Sequence, residues 1–72
     1  MQRVHYEIRV VGRLGSSWTD WFEGLEIRDE PDTEGVYRTT VLSGMMDQAA
    51  LHGTLSKIRD LGIPLLSVRI KI

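Results

Sequence analysis

The chain contains no cysteine and only two prolines among its 72 residues. Without cysteine there is no disulfide framework, no thiolate zinc site and no thiol nucleophile. The small core must therefore be stabilised by good packing or by self-association. A chain this short buries only about 60% of its unfolded surface. We therefore expect a single small domain over residues 1–72, without a large internal active-site cavity.

Long hydrophobic runs are also missing from the sequence. No stretch approaches the roughly 18 consecutive apolar residues of a membrane helix. The first residues, Met1 to Glu7, lack the apolar region of a signal peptide. The sequence therefore predicts a cytosolic protein that does not contact a membrane.

Neither sign of charge dominates, since the net charge is −1 and the pI is near 6.0. The charges are nevertheless segregated, because seven of the ten acids lie in residues 20–34 with a single arginine, Arg28. A pI this low disfavours a nucleic-acid partner. Segregated charge suits self-association, although a solvated acidic loop is the plainer interpretation.

Alternating apolar residues predict four strands. The first and last strands are marked by Val4, Tyr6, Ile8 and Val10 and by Leu66, Val68, Ile70 and Ile72. Two middle strands are predicted at Leu25–Arg28 and Val36–Leu42. An acidic loop with Pro31 and Gly35 joins them, so we expect a hairpin.

One full helix is predicted from Gln48 to Leu61, with Asp47 as its N-cap and Gly62 and Pro64 as its stop. Its apolar stripe, which should face the sheet, is Leu51, Leu55, Ile58 and Leu61. The opposite stripe consists of small or short side chains and is our candidate interface: Ala49, Gly53, Ser56 and Asp60. A glycine in mid-helix costs about 1 kcal/mol relative to alanine, which suggests close approach by another backbone.

These elements predict an α+β fold, a four-stranded mostly antiparallel sheet with the main helix on one face. The segment Ser17–Phe22 leaves two topologies open. If it is a crossover helix, the order is ferredoxin-like, β-α-β-β-α-β; otherwise it is a β-β-β-α-β meander. The link from Arg13 to Gly24 has the minimum length for a crossover, which slightly favours the meander.

Two groups of residues are candidates for binding a small ligand. Gln48, His52 and Arg59 share one rim of the helix. Trp18 and Trp21 could form an aromatic platform, or they could close the small core as a lid together with Phe22. No histidine pair has the spacing of a metal site, and no G-x-S-x-G or G-x-G-x-x-G motif is present. We therefore expect no metal, no cofactor and no enzymatic activity.

The predicted strands also share a polar side. Basic residues there alternate with acids and a histidine: Arg9, Arg28, Arg69 and Lys71 with His5, Glu7 and Glu26. Mixed signs suit an exposed or dimer-forming face better than a track for phosphates.

The C-terminal third carries a resemblance. The run DQAALHGTLSKIRDLGIPLLSV, from Asp47 to Val68, resembles the ending of a group of very small bacterial proteins that read approximately DQAALHGLLxRIRDLGLPLLSV. The Trp-x-x-Trp-Phe-x-Gly-Leu segment from Trp18 to Leu25 resembles their middle. The resemblance implies a bacterial cytosolic origin and a chain that is complete, and it brings no activity or catalytic residue with it.

The sequence therefore predicts a non-catalytic interaction module that self-associates or docks on a larger protein. Two alternatives stay open. One is a regulatory domain that binds a small ligand at a subunit interface, and the other is a nucleic-acid binder that uses the polar sheet face.

Overall fold

The computed structural model describes residues 2–12, 21, 22, 24–31 and 38–71. These residues form four strands and one helix in the order β1 (Val4–Val11), β2 (Glu26–Pro31), β3 (Arg38–Met46), α1 (Gln48–Asp60) and β4 (Leu65–Ile70). The four strands make one antiparallel sheet. The predicted α+β class is therefore confirmed.

The strand order in the sheet is β2-β3-β1-β4. Since β3 pairs antiparallel with both β1 and β2, those two strands run parallel to each other on either side of it. The link after β1 therefore crosses the sheet, and the meander is wrong because it would place β2 beside β1. The order is that of the ferredoxin-like alternative. Residues 13–20, which include most of Ser17–Phe22, lie outside the described residues.

The position next to β1 is occupied by β3 because the two strands match along their full length. Their register runs from Val4 opposite Met46 to Val11 opposite Thr39. The sequence pattern predicts the end of this strand at Leu42, four residues early. Ser43 and Gly44 are weak strand formers, but pairing with β1 keeps them extended.

The hydrophobic core lies between one face of the sheet and α1. The buried residues are Tyr6, Ile8, Val10, Phe22, Leu42, Met46, Leu51 and Ile58. Of the predicted helix stripe, Leu51 and Ile58 are buried, while Leu55 and Leu61 are partly buried against the same cluster. The alternation predicted for β1 is confirmed, because Tyr6, Ile8 and Val10 all face this core.

Both ends of α1 follow the predicted signals. The Asp47 Oδ1 atom accepts a hydrogen bond from the backbone N–H of Ala50 at 2.8 Å, which satisfies one of the unpaired N–H groups of the first turn. The helix ends at Asp60 with Leu61 as its C-cap, so it is one residue shorter than the predicted helix, which ends at Leu61. Gly62 follows with φ at +72°, a left-handed conformation that favours glycine.

The last strand differs from its predicted burial. Only Val68 packs against the core, whereas Leu65, Leu66 and Ile70 have exposed fractions of 49%, 44% and 56%. Arg9 pairs with Ser67 but Val10 pairs with Leu65, so Leu66 is an extra residue in a bulge. Among the described elements, the 13-residue helix α1 lies nearest to β3, and it does not cover these three side chains of β4.

Candidate functional site

The predicted ligand group on α1 is largely engaged with its own chain. The Gln48 side-chain amide donates a hydrogen bond to the Tyr6 hydroxyl at 2.8 Å. The Arg59 guanidinium donates to Oδ1 of Asp60 at 3.2 Å. His52 is exposed on the helix surface. Two of the three residues thus serve the fold or a surface contact, and their role in ligand binding stays a prediction.

The predicted aromatic pair is only partly described, because Trp18 lies outside the described residues. Phe22 is 2% exposed and belongs to the core, as the lid interpretation requires. Trp21 next to it is 51% exposed. Its backbone carbonyl accepts a hydrogen bond from Nζ of Lys57 at 2.8 Å, which ties this turn to α1. The neighbouring aromatic residues therefore have different environments.

The small side chains on the outer stripe of α1 lie where the periodicity predicts. Ala49, Gly53 and Asp60 are exposed, and Ser56 is half-buried. A Cβ atom added at Gly53 would meet nothing within 4 Å. The stripe is open in the isolated chain, and its role as an interface stays a prediction.

The side of the sheet away from α1 carries a network of ion pairs, which we name the charged face: Glu7, Arg9, Glu26, Arg28, Glu30 and Lys71. Nη1 of Arg9 and Nε of Arg28 donate to the Glu30 carboxylate at 2.8 and 3.0 Å. The Glu7 carboxylate lies 3.6–3.9 Å from Arg9, Arg28 and Lys71. The carboxylates therefore neutralise most of the cationic groups.

The charged face also contains a buried apolar residue. Val41 on β3 has Arg9 on one side and Arg28 on the other in the strand register. Its side chain is fully buried although it points away from α1. Arginine stems can cover apolar surface while their guanidinium groups stay in water. The register places both arginines beside Val41, where their stems can contribute to its burial.

Glu30 was missing from the predicted polar side because the pattern placed the end of β2 at Arg28. Since the strand continues to Pro31, the Glu30 carboxylate reaches both arginines. The hydrogen bonds from Arg9 and Arg28 lower the pKa of Glu30 below its ordinary value. A carboxylate whose folded pKa is lowered stabilises the fold above its unfolded pKa, and this contribution is lost as pH falls through the folded value.

Glu30→Gln is therefore expected to be less stable than the parent at pH 7, because the amide keeps the shape but not the charge. The difference between the two proteins should shrink as pH falls below the ordinary glutamate pKa of about 4.3 and then through the lower folded pKa, because the parent carboxylate becomes protonated over that range. Urea denaturation at pH 7, 5 and 3 measures this trend. Glu26→Gln is the matched control on the same strand, since Glu26 is 71% exposed and 3.9 Å from Arg28. An equal or larger loss for Glu26→Gln would contradict the assignment.

The described part of the chain groups no three histidine or carboxylate side chains that could hold a metal ion. His5 and Glu7 do share the face away from α1, as the alternation predicts. Nor is any helix of the described segments long and apolar enough to cross a membrane.

Among the described residues, exposed apolar side chains are concentrated on the edge strand β4. Five large hydrophobic residues are exposed in the described ranges: Trp21, Met45, Leu65, Leu66 and Ile70. Three of them lie on β4, which is the edge strand next to β1. We name Leu65, Leu66 and Ile70, with the outer backbone of this strand, which pairs with no other strand of the described residues, the β4 edge. An exposed edge with aliphatic side chains is a template for pairing with another strand.

Comparison with known proteins places the chain in a family. Residues 5–69 match a family described as a domain of unknown function, DUF8691. The chain belongs to the DUF8691 family. The match runs from β1 into β4, so it includes all five elements of this DUF8691 domain at least in part. No curated protein and no solved structure matches the chain. Membership is consistent with the resemblance to a small group to which no activity is attached.

The β4 edge of the DUF8691 domain was missed because alternation alone predicts Leu66 and Ile70 as core residues. Alternation identifies the face on which a side chain lies, but it says nothing about whether another layer covers that face. Two signals were present in the sequence. The Leu65-Leu66 doublet breaks the period of two, and one short helix is little cover for four strands.

Proposed function

We propose that this protein is a non-catalytic interaction module that self-associates through the β4 edge. The observation that carries the proposal is the clustering of exposed Leu65, Leu66 and Ile70 on an edge strand. Burying apolar surface stabilises an association by about 25 cal/mol per Å² before the costs of association. Each of these side chains leaves about half of its surface available for that purpose.

The opposite edge of the sheet supports the choice of β4. The β2 strand carries exposed Glu26 and Asp29 and ends in Pro31. Charged residues and proline are features that protect an edge strand from pairing. In the sheet of the described residues, the apolar side chains are therefore concentrated on one edge and the protective ones on the other.

A second copy of the chain is the occupant that fits the β4 edge. In a symmetric dimer the same patch lies on both sides of the interface, so the aliphatic residues of one copy meet those of the other. The charged face favours this function over nucleic-acid binding, because Glu7 and Glu30 already pair with Arg9 and Arg28. Bacterial origin and the cytosol as compartment belong to the same proposal, supported by the resemblance of Asp47–Val68.

The experiment is the solution mass of the parent and of Ile70→Lys, measured by light scattering over a range of concentrations. Lysine is tolerated at this position in the monomer because Ile70 is 56% exposed. In the symmetric dimer the substitution places one lysine charge from each copy in the apolar interface. We expect a dimeric parent and a dissociation constant raised at least about tenfold in the variant, which corresponds to about 1.4 kcal/mol.

Gly53→Arg is the matched control, since it adds a bulky charge to the outer stripe of α1, which is equally open. It should leave the dimer intact while circular dichroism shows that both variants are folded. A monomeric parent at all concentrations would refute self-association. A dimer that survives Ile70→Lys but is lost in Gly53→Arg would transfer the interface to Ala49, Gly53, Ser56 and Asp60.

A further inference from the structure

The backbone of β4 shows which groups are available for pairing. The Lys71 N–H donates to the His5 carbonyl at 2.8 Å, so these two residues occupy a hydrogen-bonded position of the ladder. Hydrogen-bonded and non-bonded pairs alternate along an antiparallel ladder. Arg69 and Ser67 therefore also direct their backbone groups toward β1. The N–H and C=O groups of Val68 and Ile70 point away from β1, at the outer edge of the sheet that the described strands form.

We propose that two copies of the chain pair antiparallel along β4 in a register centred on Val68, which joins their two sheets into one. This inference rests on the proposed function and specifies its geometry. Val68 of one copy lies opposite Val68 of the other, and the two exchange both backbone hydrogen bonds. Ile70 then lies opposite Leu66 of the other copy. The side chains on this side of the sheet are continuous with the cores of both copies.

The charges on β4 select this register among its neighbours. With Val68 at the centre, Arg69 faces Ser67 of the other copy. A shift toward the C-terminus places Arg69 opposite Arg69, and like charges directly opposite each other are destabilising. A shift toward the N-terminus centres the pairing on Ser67 and moves Ile70 opposite Pro64, which has no N–H to donate. Only the middle register combines matched aliphatic pairs with separated arginines.

Pairing of β4 with the β2 strand of another copy is the competing arrangement. The acids of β2 would attract Arg69 and Lys71, but exposed Asp29 follows Ile27 on the side of β2 that faces α1, so a carboxylate would replace an aliphatic partner of Ile70 or Leu66. Such a contact joins different surfaces, so it generates open chains rather than a closed dimer. The concentration of exposed aliphatic side chains on β4 alone favours the symmetric pairing.

The absence of cysteine from the chain makes the register measurable by disulfide formation. Three full-length variants, Val68→Cys, Ser67→Cys and Arg69→Cys, are oxidised under native conditions. In the proposed register the two copies of residue 68 have Cα atoms about 5.5 Å apart, within the 4.4–6.8 Å range of disulfides. Residues 67 and 69 face their own copies only diagonally, at about 7–8 Å. We expect Val68→Cys to form covalent dimers at least about tenfold faster than either other variant.

A mixture of Ser67→Cys and Arg69→Cys provides a second readout that does not alter Val68. These two positions lie directly opposite each other as a non-bonded pair, with Cα atoms about 4.5 Å apart. The mixture should therefore form mixed covalent dimers faster than either variant alone. This measurement supports or contradicts the register even where Val68→Cys fails to fold.

The outcomes separate the register from the proposed function. If the parent is a dimer and Ser67→Cys or Arg69→Cys alone cross-links fastest, the register is wrong while self-association through β4 holds. If the parent is a dimer and none of the variants or mixtures cross-links, the β4 interface is wrong. Oligomers larger than a dimer, with a mass that keeps increasing with protein concentration, would indicate β4-to-β2 pairing and overturn the inference. A monomeric parent would refute the proposed function itself.

Discussion

Phe22→Ala is expected to lower the free energy of unfolding by about 3–5 kcal/mol, the usual cost of truncating a buried aromatic side chain. Phe22 is 2% exposed and packs in the core between the sheet and α1. The residue comes from the crossover link, and a core of this size has few other large side chains to fill the cavity. The midpoint of urea denaturation, followed by far-ultraviolet circular dichroism, measures the loss.

Trp21→Ala is the matched control for this prediction. Trp21 is the adjacent residue, also aromatic, but its side chain is 51% exposed, and the hydrogen bond from Lys57 goes to its backbone carbonyl, which the substitution keeps. We expect a cost at least about 2 kcal/mol smaller than for Phe22→Ala, because less surface returns to water. Equal losses for the two variants would contradict the view that only Phe22 closes the core.

The elements with strong local signals could be predicted from the sequence. Asp47, Gly62 and Pro64 mark the ends of α1 because capping and stop signals depend on a few neighbouring residues. The alternation in β1 predicts its buried face for the same reason, since its period is local. These features require no knowledge of what lies on the other side of the sheet.

The strand order could not be predicted with the same success, because it depends on pairing between distant segments. The minimum length of the Arg13–Gly24 link favours a meander, yet the full-length match between β1 and β3 decides the order. Pairing with β1 also extends β3 through Ser43 and Gly44, and pairing with β3 extends β2 through Glu30. Each of these differences is a case in which tertiary contacts override local preference.

In the candidate site, too, local patterns could be predicted and contacts between distant segments could not. Alternation predicts the polar side of the sheet, and the structure shows Glu7, Arg9 and Arg28 together there. The partners that complete the ion pairs depend on the extension of β2. At the β4 edge the Leu65-Leu66 doublet interrupts the period of two, but in all other respects a half-covered strand and a fully covered strand have the same pattern. The three-dimensional extent of α1 distinguishes them.

The second large effect is expected at the centre of the sheet, in Leu42→Ala. Leu42 is fully buried and lies opposite Ile8 on β1 and Ile27 on β2, while Ile8 lies opposite Val68. One row of aliphatic side chains therefore crosses all four strands of the described sheet. Removing its second member leaves a cavity among residues that cannot collapse without moving strands, so we expect a loss of about 2–5 kcal/mol. Urea denaturation of the folded parent and variant measures the loss.

Leu66→Ala is the matched control, because the same atoms are removed from a leucine that is 44% exposed at the β4 edge. At protein concentrations below the dissociation constant of the dimer, we expect the free energy of unfolding to fall by less than about 1 kcal/mol, since a partly exposed side chain returns less surface to water. At concentrations above the dissociation constant this loss should grow with protein concentration, because weakening a dimer also lowers the stability that dimerisation adds to each copy. Leu42→Ala should show no such dependence in its difference from the parent. A loss for Leu66→Ala that equals that of Leu42→Ala at every concentration would mean that Leu66 is a core residue and would remove the physical basis for an interface at β4.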